Sequence, residues 1–115
     1  VLDTTELTAA VERLADRLRA APQSRLQRGA AADGLALARD LAFRAQRLEN
    51  PRTPPRTMPD AGLFAVADQL VVACNDLAEI LRTAPAGSPP RREALRRELD
   101  EAVAAVRRTA ATATL

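Results

Sequence analysis

Apolar residues recur every three or four positions along most of this chain, a spacing that predicts four amphipathic helices. The first covers about 4–21, with Leu7, Val11, Leu14 and Leu18 on one stripe and Pro22 as its stop. Asp3 is its expected N-cap, Glu6 the reciprocal acid of a capping box, and Leu2 a staple onto Leu7. The second covers about 25–49, opening at a Ser24/Gln27 capping box and carrying Leu26, Leu37, Leu41 and Leu48 on one face. Gly29 and Gly34 weaken its first half by about 1 kcal/mol each relative to Ala, which marks a kink or a late start there. The third covers about 61–84 behind Asp60 as N-cap, with Leu63, Val66, Leu70, Ala73, Leu77 and Ile80 at heptad spacing. The fourth covers about 89–110, with Ser88 as cap, Pro89 at N1, and Leu95, Leu99, Ala102 and Val106 on its stripe. Its tail from Thr109 onward is expected to fray. No period-two alternation persists, which argues against strands.

Four helices joined by short links predict an all-α, antiparallel up-and-down four-helix bundle, one domain over 1–115. Only the link 51–59 is long, and its Pro51, Pro54, Pro55 and Pro59 read as extended polyproline-like chain.

Projected at about 100° per residue, helices one and four have apolar arcs only about a third of the circumference wide. Helix three is wider: Ala67, Cys74, Ala78 and Leu81, then Val71 and Phe64, continue its stripe sideways. Helix two extends similarly through Ala31, Gly34, Leu35, Ala38, Ala42 and Ala45. Such surplus is covered either by the bundle's own loops or by a second copy, because soluble monomers avoid large apolar patches. A homodimer through helices two and three is the expectation, with Leu35, Ala38, Ala42, Phe64, Ala67, Val71 and Ala78 as its candidate interface.

Composition narrows the chemistry. Of the 54 hydrophobic residues 26 are Ala and 16 are Leu, so small and aliphatic side chains must build the core. The chain lacks His, Trp, Tyr and Lys, and all 17 of its basic residues are Arg. An imidazole base, a Schiff-base lysine, a phenol and a histidine metal site are therefore excluded, and neither a cofactor nor a metal is expected. Bundle families that depend on a phosphotransfer histidine, a Glu-x-x-His diiron motif or a Cys-x-x-Cys-His haem motif are excluded by the same absences. Arginine without lysine, alongside so much alanine, fits a GC-rich bacterial genome.

The net charge of +2 carries little information about partners. One cysteine forms no internal disulfide, and no stretch approaches the roughly 18 apolar residues of a spanning helix. Acids rather than a basic run open the chain, so no signal peptide is expected; a cytoplasmic protein with no membrane partner is. Cys74, at mid-helix beside a core stripe, reads as a small buried hydrophobe.

Arginines carry the remaining signal. In an up-and-down bundle Arg17, Arg19, Arg25, Arg28, Arg82, Arg91, Arg92, Arg96 and Arg97 gather at one end. Those in the first turns of helix four oppose its macrodipole, a cost that stability alone does not favour. Arg91, Arg92 and Arg96 there, with Arg52 and Arg56 in the proline-rich link, are candidate contacts for a protein partner or an anion. Nucleic acid is not expected, since no aromatic stacking platform exists. Asp40 and Arg44, with Asp33 nearby, border the leucine stripe of helix two and read as a half-buried ion pair that fixes register, or as a polar pocket. The acid pairs Asp76/Glu79 and Glu98/Glu101 resemble the carboxylates with which all-α nucleotide pyrophosphohydrolases hold magnesium, but their double-Glu motif is missing.

Taken together these residues predict a non-enzymatic, homodimeric scaffold that works by contact with itself or an unknown protein. The alternative is a small enzyme or ligand-binding bundle for a phosphorylated or anionic metabolite, around Asp33, Asp40, Arg44, Asp76 and Glu79, or a weak nucleic-acid binder through its arginine-rich end.

Overall fold

A computed structural model describes residues 2–85, 87–113 and 115. Four long helices form the bundle: α1 (Thr5–Ala20), α2 (Ala31–Glu49), α3 (Val66–Thr83) and α4 (Pro89–Thr112). No strand occurs among the described residues. The all-α four-helix bundle is thus as the periodicity predicts, with the boundaries moved by local chemistry.

Thr4, not Asp3, holds the cap position of α1, and its side chain makes no capping bond; Asp3 Oδ1 accepts the Thr5 N–H at 2.9 Å one residue further out. Hydrogen bonds to Thr5, chiefly a side-chain one and then the backbone one, hold the Asp3 carboxyl below its ordinary pKa. Glu6 does not complete the box; its carboxylate pairs with Arg107 on α4. Ser24 does not cap α2. The chain re-enters helix directly behind Pro22, through a short turn at Gln23–Arg25 and a π-type turn at Leu26–Ala30. It bends at Gly29, whose φ of 138° lies where side-chain-bearing residues are strained. That bend is the kink anticipated in the glycine-weakened half, and regular α2 begins only after it. Helix α3 is preceded by a 3₁₀ turn at Leu63–Ala65, with Asp60 Oδ1 accepting the Gly62 N–H at 2.8 Å ahead of it. Ser88 caps α4 by accepting from the Arg91 N–H, with proline in the first turn. The helix continues through Thr112, beyond the expected onset of fraying.

Helix directions differ from the sequence expectation at one point. Arg19 at the end of α1 reaches Asp68 at the start of α3, and Arg82 at the end of α3 bonds Thr4 before α1, so these two are antiparallel. A groove between α2 and α3, by contrast, joins Gln46 and Glu49 to Glu79 and Ile80, and Gly34 lies against Val66. Helices α2 and α3 therefore run parallel. Arg44 of α2 meets Glu98 and Glu101 of α4, and Asp33 shares a groove with Thr112, so α4 runs against α2 and beside α1 in the same sense. The order is up-down-down-up, with α1 facing α2, and α3 facing α4, across the diagonals. The reason is reach. Residues 50–62 span up to about 43 Å when extended, whereas a 19-residue helix is only about 28 Å long. The proline-rich link can therefore return along the full length of α2 before α3 begins.

The core is built from the predicted stripes. Leu7, Val11, Leu14, Leu41, Leu70, Leu77, Leu81 and Val106 are among its most completely buried side chains. The broad arc of α3 is consumed there, because α3 packs on both α1 and α2. Gly34 marks a close approach: a Cβ there would sit 2.8 Å from Val66 Cγ1 and 3.2 Å from Leu18 Cδ1. Gly34→Val should lower stability by about 1–3 kcal/mol in urea denaturation, overpacking outweighing the gain in helix propensity. An unchanged midpoint would show that the three helices do not converge at this residue.

Candidate functional site

Proline removes backbone donors, so a long proline-rich link has few ways to bind a helix surface through its own amides. Side chains of α2 and α3 supply what is missing. Gln46 donates from Nε2 to the Arg56 carbonyl at 2.9 Å, and its Oε1 accepts the Arg56 N–H at 2.7 Å. Arg39 Nε donates to the Met58 carbonyl at 2.8 Å, and Gln69 Nε2 donates to the Pro59 carbonyl at 2.9 Å. Met58 turns inward against the core, while residues 51–57 remain exposed. A turn closed from the Thr53 N–H to the Asn50 carbonyl starts the strap, and the segment that follows has no regular secondary structure. Arg56 thus heads a stretch pinned at residues 56, 58 and 59, while Arg52 lies upstream of the clamp, inside the turn that Thr53 closes. The sequence identifies these two arginines but not the clamp. Its available signal was the pair of amide side chains, which mimic a peptide edge, on helices that flank a donor-poor link.

A second polar feature ties α4 to α2. Arg44 donates to Asp40 at 3.2 Å and to both Glu98 and Glu101 at 3.1 Å, and Arg47 reaches Glu98 at 3.4 Å. The Arg44 and Glu98 side chains are only 13% and 18% exposed. Burial opposes the Arg44 charge, but its hydrogen bonds and attraction to Glu101, Asp40 and Glu98 outweigh that cost and raise its pKa. The expected Asp40–Arg44 pair is present and larger than anticipated. Asp33 takes no part in it and lines a neighbouring groove with Asp40, Arg108 and Thr112. Arg47 also lies 5.2 Å from the Phe43 ring centroid, in cation–π range.

The carboxylate pairs do not converge. Glu98 and Glu101 share Arg44, whereas Asp76 and Glu79 border the groove between α2 and α3, with Glu79 bound to Arg82. Among the described residues no group of three or more Cys, Asp or Glu side chains is arranged to hold a metal ion.

Two sequence expectations need correction. The gathering of arginines at one end assumed antiparallel α2 and α3. With the observed directions, Arg17, Arg19, Arg25 and Arg28 lie at the end where α3 starts, and Arg82, Arg91, Arg92, Arg96 and Arg97 lie at the other. The candidate dimer face is also largely internal: Leu35, Ala38, Ala67 and Ala78 are buried within one chain. Ala42 and Val71 are half-buried against the core, and Phe64 alone of the seven is well exposed, at 73%. Among the described residues the other exposed large apolar side chains are Phe43 and Val72, on different helices.

Cys74 is buried as expected. Desolvation, with a smaller push from Glu12 and an opposing pull from Arg82, moves its thiol up to about 11. No described helix is long and apolar enough to cross a membrane. No family model, no curated protein and no solved structure matches the chain, so the class it defines rests on its own geometry: a four-helix bundle with a clamped proline strap.

Two measurements test this picture. Arg44→Met should cost about 3 kcal/mol by leaving Glu98 half-buried without its main partner, whereas Arg19→Ala on the surface should cost less than about 1 kcal/mol. Equal losses would contradict the seam. In the folded chain the Cys74 thiol keeps its proton up to about 11, while in the unfolded chain it ionises near the ordinary value of about 8.5. Stability should therefore be unaffected by this group below that window and fall as pH rises through it, a fall that Cys74→Ala removes.

Proposed function

We propose that this protein is a non-enzymatic interaction module, a rigid bundle that displays the proline strap to a partner protein. One observation carries the reading: the second half of the strap, residues 56–59, is clamped by Arg39, Gln46 and Gln69, while Arg56 and the Arg52 and prolines ahead of it remain exposed. A segment ordered before binding loses less conformational entropy on association than a free loop does. Solvated arginines on an extended proline-rich chain suit a partner with an acidic rim and an apolar or aromatic groove. The residue inventory supports a non-enzymatic role, since the side chains that most often serve as general bases and amine nucleophiles are missing. A cytoplasmic location agrees with the single reduced, buried cysteine.

A second copy is a further candidate partner, favoured by Phe64 in the 3₁₀ turn ahead of α3 and by Val71 on α3. Of the original interface these are the apolar side chains larger than alanine that the fold leaves at least partly accessible. Affinity capture with wild type and with Arg52→Ser/Arg56→Ser should retain a protein that the strap variant loses, at an unchanged melting temperature. Capture indifferent to the strap would contradict display. Sedimentation of wild type beside Phe64→Asp decides the second reading: a dimer abolished by the substitution supports it, and a monomer in both removes it.

A further inference from the structure

The end of the bundle away from the α3 start contains a cleft of about 460 Å³, bounded by residues before α1, the end of α3 and the first turns of α4. Its walls are chemically divided. Leu2, Ala84 and Pro89 give it an apolar wall, and the edges of Leu81 and Leu95, otherwise buried in the core, close its floor. Arg92 and Arg96, one turn apart on α4, line it, and Glu93 is the one acid of that lining. Arg92 Nη1 donates to the Gly87 carbonyl at 3.2 Å, which fixes its guanidinium across the start of the helix. Arg96 makes no ion pair among the described residues, although it also borders a groove containing Asp3 and Asp100.

We propose that this cleft binds a medium-chain carboxylate, the apolar chain lying against Leu2, Leu81 and Leu95 and the head group between Arg92 and Arg96. The volume falls in the range of small-molecule sites, and two guanidiniums against one carboxylate leave the lining net positive. Guanidinium geometry matches a carboxylate through paired N–H donors. An anion there also offsets the arrangement that stability alone disfavours, in which Arg91 and Arg92 stand near the positive end of the α4 dipole. The site is separate from the strap and does not depend on its role.

The test is a titration of the ¹⁵N-labelled full chain with octanoate, hexanoate, octanol and inorganic phosphate, followed by amide shifts. Octanoate should give saturable shifts centred on Leu2, Leu81, Arg92 and Leu95. Hexanoate should bind more weakly, by about fourfold for each methylene removed. Octanol should bind at least tenfold more weakly than octanoate. Arg96→Gln should weaken octanoate about tenfold with the melting temperature unchanged, and Arg92→Gln should give a similar loss, checked by circular dichroism for intact helix. Equal affinity for octanol and octanoate, phosphate binding as tight as octanoate, an unaltered affinity in the folded Arg96→Gln variant, or no localised shifts at millimolar octanoate would each overturn the proposal.

Discussion

The molecule depends on how the chain gets from the end of α2 to the start of α3. A short hairpin would have set the two antiparallel. The strap instead returns along α2, and three side chains receive it, with Gln46 satisfying both backbone groups of Arg56. Because prolines contribute no amide protons, these few hydrogen bonds are most of what orders the segment. The parallel pairing of α2 with α3, the diagonal positions of the other helices and the placing of both arginine groups follow from that return path.

Small side chains and charge then do different work. Alanine and Gly34 let α1, α2 and α3 approach closely, and dispersion across those contacts holds them. Helix α4 buries Leu95 and Leu99 in its first half and a smaller face of Ala102, Val103, Ala105 and Val106 in its second. Polar ties add to its position: Arg44 to Glu98 and Glu101, Arg107 to Glu6, and Arg17 to the Ala110 carbonyl at 3.1 Å. The small-residue half of that face slides easily, and a partly buried ion pair has one good register, so the seam fits a specifying role more than a stabilising one.

Much of this was legible in the sequence. The leucine stripes, the Ser88–Pro89 start of α4, the disturbance at Gly29, the buried Cys74 and the Asp40–Arg44 pair are all local signals at helical spacing, and local geometry decides them. Direction was not legible, because periodicity says which face of a helix is apolar and nothing about which way it runs. The misplaced arginine end and the overestimated apolar surplus share that cause. A helix flanked by α1 on one side and α2 on the other buries a wide arc, so Ala67 and Ala78 were core residues rather than surface awaiting a second copy. The clamp by Gln46 and Gln69 was hidden for a related reason: it joins residues whose proximity exists only after the strap has folded back.

Helix direction is therefore the measurement that bears most directly on the account. Spin labels at Glu49→Cys and Glu79→Cys, in a Cys74→Ser background, report the separation between the far ends of α2 and α3. Parallel helices bring the labels to roughly 10–20 Å, the spacing of neighbouring helix axes plus label arms. A separation of roughly 30 Å, about a helix length, would mean that the two run antiparallel and that the strap does not return along α2.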